Sequence, residues 1–314
     1  GVDSHGVRLF PHYIRGVLGG RINPNPSYRC TRTSASTALF DADHTFGHAA
    51  CMEAAKEAID LANEGGSAHV AVCHSSHFGA AATYALEIAR HNMIGMSFTN
   101  TDALVKTYGG KKSFLGNNPI CMAVPCDGEE PICLDMATSV ATFNKIKQLR
   151  EQGLRAEPGI GADNDGCETT DPHRISMLNP IGGYKGYGLS FMVEVLCSLM
   201  TGMPYGPQIP KMFEAPMNEK RNLGQFIIAL RIENFQDINL FKKRMAIFVG
   251  DLRKSAPFHL DRPVQVPGDP EKKKQKERLK TGIPLSETEL LSLRETGRRW
   301  GIGGELGYRS DICD

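Results

Sequence analysis

Two features common in membrane and nucleic-acid-binding proteins are missing from this sequence. No apolar run approaches the roughly 18 residues of a membrane-spanning helix. The formal net charge of the 314-residue chain is only +1, so it has no overall field to attract nucleic acid or an anionic membrane. We interpret the basic run from Lys272 to Lys280 as a solvated helix face. No nucleic-acid and no membrane partner is therefore expected.

Paired cysteines are missing too. The nine cysteines are odd in number and scattered, and none forms a CxxC pair. Neither a disulfide framework nor a cysteine-based zinc site is expected, and the cysteines are interpreted as reduced thiols of a cytoplasmic protein. No signal peptide is visible, although the chain begins with Gly1 instead of Met, which weakens any conclusion about localisation drawn from this end.

The common nucleotide-binding and metallohydrolase motifs are absent as well. No GxGxxG with a following acidic residue, no GxxxxGK[ST] phosphate loop and no HExxH occurs. His74 and His77 stand three positions apart, as two metal ligands on a helix would. Because no carboxylate or third histidine lies near them in the sequence, we predict no metal site.

What the sequence does contain is an alternation of helical and strand-like segments. Apolar residues at helical spacing over 46–64 predict a helix that ends at Gly65-Gly66, followed by a buried strand at 69–73 and a second helix at 80–91. Further strands are predicted at 94–99, 120–124, 132–135 and 226–232, helices at 189–200 and 241–254, and a long loop at 151–180. Hydrophobic residues make up 41% of the chain, enough for two lobes or one large α/β body.

Two histidine motifs stand at places where a strand or turn leads into a helix. They are Asp3-Ser4-His5-Gly6 and Ser75-Ser76-His77-Phe78-Gly79. Histidine has the side-chain pKa nearest neutrality, so a presented pair is a candidate for proton transfer. A histidine flanked by serine and glycine is also a common turn or cap residue, and that reading stays open for each motif alone.

Two further segments could hold an anion or a cofactor. In Gly182–Gly188, glycines on both sides of Lys185 let backbone approach a ligand at a helix N-terminus, although an exposed lysine at a glycine-rich helix entry is the simpler alternative. The segment 134–139 ends a predicted strand, with Thr138 or Ser139 as the N-cap of a following helix. There Asp135 is either a ligand contact or an ordinary turn residue.

Taken in order, the motifs resemble one family. The set is DSHG (3–6), SSHFG (75–79), GNNP (116–119), LDMATS (134–139), TTDP (169–172), GGYKGYGL (182–189) and PGD (267–269). It resembles the malate/L-lactate dehydrogenase family, the non-Rossmann NAD(P)-dependent 2-hydroxyacid oxidoreductases, whose relatives include ureidoglycolate, sulfolactate and 3-dehydrogulonate dehydrogenases and cyclic ketimine reductases. Each motif alone is weak, but the ordered set spans essentially the whole chain.

The resemblance implies a role for particular residues. His77 matches the proton acceptor, and His5 with Ser4 matches the second catalytic pair. Substrate contacts are implied for Arg8, Thr101 and Lys185, and cofactor contacts for Asp135, Met136, Ala137, Lys185, Gly186, Pro267, Gly268 and Asp269. Many members carry an arginine four residues after the first histidine. This chain has Leu9 there, so the pairing of Arg8 with a substrate carboxylate is in doubt.

The resemblance also implies a fold and an assembly. We expect a mixed α/β structure with a largely antiparallel sheet flanked by helices, in a homodimer that binds NAD or NADP. We divide the chain into a substrate and dimerisation lobe, residues 1–78 plus 256–314, and a cofactor-binding lobe, residues 79–255.

Several activities stay open at this point. The chain is expected to transfer a hydride between nicotinamide and C2 of a small 2-hydroxy or 2-oxo acid. A cyclic imino acid is an alternative substrate. Outside that class, a metal-dependent lyase or hydrolase could use His5, His74 and His77. The departure at Leu9 also leaves room for a relative that binds a ligand without turnover.

Overall fold

A computed structural model describes residues 2–299; the remaining part of the 256–314 segment, with Cys313, lies outside the described residues. Eleven strands occur in this range. They are β1 (Arg29–Ser34), β2 (Thr37–Asp41), β3 (Ser67–Ser75), β4 (Met93–Thr99), β5 (Val105–Lys106), β6 (Ser113–Leu115), β7 (Ile120–Val124), β8 (Ile132–Met136), β9 (Gly161–Ala162), β10 (Met177–Leu178) and β11 (Leu223–Arg231).

The strands form one large sheet and one small sheet. The large sheet has the order β1-β2-β3-β11-β4-β7-β8, and every neighbouring pair is antiparallel except β2 with β3. The expected mixed, largely antiparallel sheet is therefore confirmed. β11 inserts between β3 and β4, so the two lobes predicted from the sequence share this one sheet. The small sheet has the order β6-β5-β10-β9.

Eight α-helices accompany the sheets within residues 2–299. They are α1 (Phe10–Leu18), α2 (Gly47–Gly65), α3 (Ala82–Arg90), α4 (Phe143–Glu151), α5 (Tyr184–Glu194), α6 (Ile238–Lys254), α7 (Asp269–Thr281) and α8 (Glu287–Arg299). No helix in this part of the chain combines the length and the apolar character needed to cross a bilayer.

The main core lies between the large sheet and helices α2 and α3. Most of the buried residues of α2 are alanines, and small side chains allow a helix to approach the sheet closely. Tyr84, Ile88 and Ile227 are fully buried there, and burial of each such side chain contributes about 1.5–3 kcal/mol. A second core joins the small sheet to α4 through Val105, Ile146 and Leu178.

Most of the predicted elements are present, with shifted ends. The helix predicted at 189–200 begins earlier, at Tyr184, and continues as a π-helical turn over Val195–Leu199. The predicted helix start at Thr138 or Ser139 is wrong. Thr142 is the N-cap of α4, where its hydroxyl accepts the Lys145 N–H at 3.3 Å, whereas Ser139 pairs with Pro180 in an isolated β-bridge.

The cysteines described by the structure are free thiols. Cys121 and Cys133 lie nearest to each other, with their Sγ atoms 3.6 Å apart, on the paired strands β7 and β8. Among the described residues no disulfide is formed, and the reduced state of these cysteines stays a prediction.

Candidate functional site

The loop after β3 presents His77. Ser76 fixes the loop, because its buried hydroxyl donates to the Thr45 carbonyl at 2.7 Å and accepts the Gly47 N–H at 3.1 Å. A Cβ atom at Gly47 would overlap the backbone of Ser76 and His77, so only glycine lets α2 begin this close to the loop. The close fit holds His77 in one position relative to α2.

Three side chains surround the His77 ring. The His77 Nδ1 atom lies 2.7 Å from the Tyr13 hydroxyl. The His5 ring stacks on His77 with centroids 5.5 Å apart and an interplanar angle of 7°, and His48 from α2 meets His77 edge-on at 6.2 Å. We call His5, Tyr13, His48 and His77 the histidine cluster. The structure thus brings together the two histidines singled out in the sequence.

The surroundings keep the histidine cluster uncharged. Desolvation of the ring is the main cause that lowers the pKa of His77 well below its ordinary value, and electrostatic repulsion from His5 and His48, which acts when those rings are protonated, adds to it. Desolvation likewise lowers the pKa values of His5 and His48, with Arg8 adding to the effect at His5. At neutral pH the His77 imidazole is therefore neutral and able to accept a proton.

Several contacts fix the segment that carries His5. The Ser4 hydroxyl lies 2.6 Å from His5 Nδ1. The carboxylate of Asp3 forms ion pairs with Lys274 at 3.1 Å and Arg278 at 2.7 Å on α7. The sequence predicted that the basic run of α7 is a solvated face. The structure corrects this, because two of its cations pair with Asp3 and so anchor the neighbouring Ser4–His5 pair.

Arg8 lies beside this segment. Its guanidinium donates to the Asn144 side chain of α4 at 2.5 Å and to the Ser4 carbonyl at 3.3 Å. The Arg8 Nε atom is buried and has no hydrogen-bond partner in the part of the chain that the structure describes. An unpaired N–H is costly to bury, so Arg8 retains the capacity to bind a further acceptor.

Sequence reasoning missed three groups in this region: Tyr13, His48 and Arg221. Tyr13, His77 and Arg221 line a small cavity of about 10 Å³, near the lower limit for one water molecule. Arg221 is buried there and pairs with Asp102 at 2.7 Å. His48 follows a helix start and could have been noticed for that reason, but the sequence carries no comparable signal for Tyr13 or Arg221.

The candidate cofactor residues lie along β8 and its continuation. The Asp135 carboxylate accepts the Ala82 N–H at the start of α3, at 2.9 Å. At the start of β8, the Cys133 N–H donates to the Pro267 carbonyl at 3.4 Å. The next residue, Gly268, adopts φ 92°, and a Cβ atom there would lie only 3.3 Å from the Cys133 backbone. Asp269 begins α7 and forms an ion pair with Arg253 at 2.6 Å.

At the other end, the glycine-rich segment joins the same strand. The Ile181 N–H donates to the Thr138 carbonyl at 2.9 Å. Gly182 and Gly183 adopt positive φ angles, and a Cβ atom on either would make only ordinary van der Waals contacts, at 3.7 Å or more. Lys185 in the first turn of α5 is exposed, and its ammonium group makes no hydrogen bond or ion pair with residues 2–299.

Thr101 is tied to the same strand. Its hydroxyl donates to the Asn117 side chain at 2.9 Å and accepts the Asn117 N–H at 3.1 Å, and the Asn117 carbonyl accepts the Thr138 N–H. An open glycine pair, an unpaired lysine at a helix N-terminus and an acidic acceptor fit a nicotinamide dinucleotide, whose pyrophosphate is anionic and whose ribose hydroxyls are donors. The residues present therefore fit the cofactor.

His74 lies apart from the histidine cluster. Its Nδ1 atom is 3.1 Å from the Asp41 carboxylate, and its ring faces His44 with centroids 5.3 Å apart. His77 instead stacks against His5. A metal centre built from His5, His74 and His77, one of the alternatives considered from the sequence, is not assembled by this arrangement.

Comparison with known proteins extends these observations. Residues 1–294 match the family model described as malate/L-lactate dehydrogenase. The chain is 35% identical to a malate dehydrogenase of Pyrococcus abyssi over 97% of this chain and 85% of that protein. It is 30% identical to an Escherichia coli ureidoglycolate dehydrogenase (NAD(+)), covering 91% of this chain and 81% of that one.

Two solved structures are similar in fold. Sulfolactate dehydrogenase from Methanocaldococcus jannaschii superposes with a TM-score of 0.89 at 31% identity, covering 95% of this chain and 86% of that chain. The delta1-piperideine-2-carboxylate reductase from Pseudomonas syringae gives a TM-score of 0.82 at 27% identity, with 93% and 86% covered.

Proposed function

The chain belongs to the malate/L-lactate dehydrogenase family, and from this premise we propose that it is an NAD(P)-dependent 2-hydroxyacid oxidoreductase. Its substrate would be a small malate- or lactate-like acid, oxidised or formed at C2. The observation that carries the proposal is the neutral His77 imidazole, held by Tyr13 and stacked on His5.

His77 would move the substrate proton. In the oxidation direction its Nε2 atom accepts the hydroxyl proton, and in reduction the same atom returns it. For this role the Nδ1 atom must carry a hydrogen and donate it to the Tyr13 oxygen, 2.7 Å away. Bound nicotinamide supplies the hydride acceptor or donor. A positioned acid–base group of this kind contributes roughly 10²–10⁴-fold in rate.

His5 and Ser4 would orient the substrate or share the proton. The rings of His5 and His77 are stacked, and the Ser4 hydroxyl holds His5 Nδ1 at 2.6 Å. Anchoring of Asp3 by α7 keeps this pair over His77. The arrangement favours a fixed substrate position, which accounts for a large share of such catalysis.

Arg8 and Lys185 would hold the substrate carboxylate, with Thr101 as a further contact. Leu9 occupies the position of the expected arginine, but Arg8 is one residue away and has an unpaired Nε–H. Arg221 pairs with Asp102 through its Nη2 atom, and its buried Nε likewise has no partner within residues 2–299.

Cofactor binding is assigned to the β8 continuation and its two flanking turns. Asp135, Met136 and Ala137 would contact the cofactor, with Lys185 and Gly186 on one side and Pro267 and Gly268 on the other. Asp269 would act by holding its turn, since its carboxylate already pairs with Arg253. The ureidoglycolate relative named for NAD(+) supports NAD, and NADP stays an alternative.

A homodimer and a cytoplasmic location complete the proposal. Five apolar side chains of α5, its π-helical extension and the residue that follows it are 45–60% exposed, enough to form a partner-binding surface: Leu189, Phe191, Met192, Leu199 and Met200. We retain residues 1–78 with 256–314 as the substrate and dimerisation part and residues 79–255 as the cofactor part. Free thiols agree with a reducing compartment.

Reduction of a cyclic imino acid is the second candidate. The structural similarity to a piperideine-carboxylate reductase favours it, and the same His77 could donate a proton to nitrogen during C=N reduction. Only the substrate distinguishes the two reactions.

The decisive experiment follows absorbance of the reduced nicotinamide. Purified protein is mixed with NADH or NADPH and with oxaloacetate, pyruvate or a cyclic ketimine. Oxidation with a 2-oxo acid supports the first proposal, and oxidation with the ketimine alone replaces it with the second. Absence of both turnover and cofactor binding, the latter followed by nicotinamide fluorescence, would overturn both.

A further inference from the structure

A group of metal-ligating side chains lies outside the histidine cluster, where β2 and β3 end. Asp41 and Cys73 are directly opposite each other in the parallel pairing of these strands. A carboxylate oxygen of Asp41, the Cys73 sulfur and a His74 ring nitrogen all lie within 4.8 Å of one another. Together with His44 we call these residues the β2–β3 ligand cluster.

A bulge in β3 creates this arrangement. Opposite β3, the register of β11 shifts between Leu223 and Gln225, so that Cys73 and His74 oppose the single residue Gly224. His74 adopts φ 48°, an unusual angle for a residue with a side chain. Such a bulge interrupts the alternation of side chains and can re-aim one of them. Here it brings the His74 ring to the carboxylate of Asp41, 3.1 Å away.

His44 adds an independent observation. Its Nδ1 atom is buried and has no hydrogen-bond partner within the described range, residues 2–299. Its ring centroid lies 5.3 Å from that of His74, and its backbone N–H donates to the His74 carbonyl at 2.7 Å. A buried imidazole nitrogen without a partner is uncommon, and a cation bound beside His74 would supply one.

The donor set selects the kind of ion. One thiol, two imidazoles and one carboxylate are the ligands of tetrahedral Zn²⁺, and calcium or magnesium would require an all-oxygen set. Bond lengths of about 2.0–2.3 Å place the ligand atoms of such a site about 3.3–3.8 Å apart. For Asp41, Cys73 and His74 this requires a contraction of up to about 1 Å, which is within the range of side-chain rotation, whereas His44 lies outside their 4.8 Å group and its ring must move further.

One neighbouring cation opposes the site. Arg29 lies 3.4 Å from the other Asp41 oxygen, but its side chain is 77% exposed and can turn into solvent. The His74 side chain is 40% exposed, which leaves an approach for an ion from solution.

We propose that Asp41, His44, Cys73 and His74 bind one Zn²⁺ ion that joins the loop after β2 to the loop after β3. The same two loops continue to His48 and His77 of the histidine cluster. The ion is therefore structural, and it holds the two catalytic loops against each other without touching the substrate.

The test uses the full chain, freed of metal by a chelator. Zn²⁺ is titrated in competition with a chromophoric chelator, and Co²⁺ is titrated separately as a spectroscopic probe. We expect one equivalent of Zn²⁺ per chain. We also expect a thiolate-to-cobalt charge-transfer band with the strong visible absorption of tetrahedral Co²⁺.

Three conservative variants locate the site: Asp41→Asn, Cys73→Ser and His74→Asn. Each should weaken Zn²⁺ binding by at least about 10-fold, and Cys73→Ser should abolish the charge-transfer band. Among residues with a side chain, asparagine is one of those that best tolerate the left-handed backbone of His74. The matched controls, Cys30→Ser and His91→Asn, remove an exposed thiol and an exposed imidazole elsewhere and should bind as the unaltered chain does.

Two results would overturn the proposal. One is a Co²⁺ complex of the unaltered chain that lacks the charge-transfer band, a result that does not depend on the folding of any variant. The other is an equal loss of Zn²⁺ affinity in the controls and the three variants, which would show adventitious binding by surface groups. Neither outcome bears on the dehydrogenase proposal, because no cofactor or substrate is present.

Discussion

The same two strands, β2 and β3, lead to two groups of histidines that differ in what surrounds them. His77 in the histidine cluster contacts aromatic rings and the Tyr13 hydroxyl, and no carboxylate among the described residues bonds to it. His74, three residues earlier, lies against the carboxylate of Asp41 and beside the Cys73 sulfur. Desolvation lowers the pKa of His77, whereas anionic and soft donors surround His74.

The contrast shows that neighbours decide what a histidine can do. A neutral, desolvated imidazole accepts a proton at neutral pH, and an imidazole between a carboxylate and a thiol is suited to bind a cation. Both situations arise within four residues because the bulge at Cys73–His74 turns one ring away from the loop that carries the other.

Replacement of His77 should have the largest effect. In His77→Ala the proton acceptor is gone, so kcat should fall by roughly 10²–10⁴-fold, while cofactor affinity stays nearly unchanged. Initial rates and fluorescence titration with NADH measure the two quantities. His173→Ala, a change of an exposed histidine, serves as the control and should leave both unaltered. Loss of cofactor binding in His77→Ala would show that the assigned role is wrong.

His12 tests how strongly desolvation acts on this side of the molecule. Burial lowers the pKa of His12 to about 4, compared with about 6.5 in an unfolded chain. As pH falls from 6.5 to 4, His12 therefore becomes protonated in the unfolded state but stays neutral in the native state. The free energy of unfolding should drop by up to about 3 kcal/mol from this group alone.

The substitution His12→Asn removes this titratable group. Urea unfolding at pH 7 and pH 4 should show a shallower loss of stability in His12→Asn than in the unaltered chain. Other groups titrate in both proteins and cancel in the comparison. Equal pH dependence of the two proteins would mean that His12 is solvated in the native state.

Tyr13→Phe should have a smaller effect on the same cluster. The phenylalanine fills the space but cannot hold His77 Nδ1, so one hydrogen bond that orients the ring is lost. Its contribution of about 0.5–1.5 kcal/mol corresponds to a roughly 2- to 10-fold lower kcat. Loss of the same hydrogen bond should lower the free energy of unfolding by a comparable amount, whereas cofactor Kd should change little because Tyr13 lies outside the residues assigned to the cofactor. A lowered stability with an unchanged kcat would instead assign Tyr13 a packing role.

Much of the fold was accessible from the sequence, because its signals are local. The helix at Gly47–Gly65 and the strand at Ile120–Val124 show clear periodicity. The start of α5 was misplaced because glycines at 186 and 188 favour a loop by propensity. In the structure Gly186 is needed for close contact with the Ile181 backbone, and this tertiary contact outweighs propensity.

The site was predictable only in part. His5 and His77 lie in recognisable motifs, whereas Tyr13 joins them through packing of α1 that no spacing reveals. The pairing of His74 with Asp41 depends on the parallel register of β2 with β3. It depends also on a bulge set by β11, about 150 residues further along the chain. Such long-range contacts leave no local pattern.

Asp41→Asn should have the smallest effect on the free energy of unfolding, and this effect should appear only when Zn²⁺ is present. Without metal it removes a partly exposed ion pair with Arg29 and His74, worth less than about 1 kcal/mol. The asparagine oxygen can still accept the Asp43 N–H that Asp41 accepts at 3.0 Å, so the turn is retained. Metal-free unfolding curves of the variant and the unaltered chain should therefore nearly coincide.

Zn²⁺ should separate those curves. At a free Zn²⁺ concentration 100 times Kd, binding to the native state stabilises the unaltered chain by about 2.7 kcal/mol, and a variant with 10-fold weaker binding gains about 1.4 kcal/mol. Asp60→Asn, an exposed change on α2, should follow the unaltered chain throughout. If Zn²⁺ stabilises all three proteins equally, the difference between the two groups of histidines lies in proton chemistry alone, and the β2–β3 ligand cluster binds no ion.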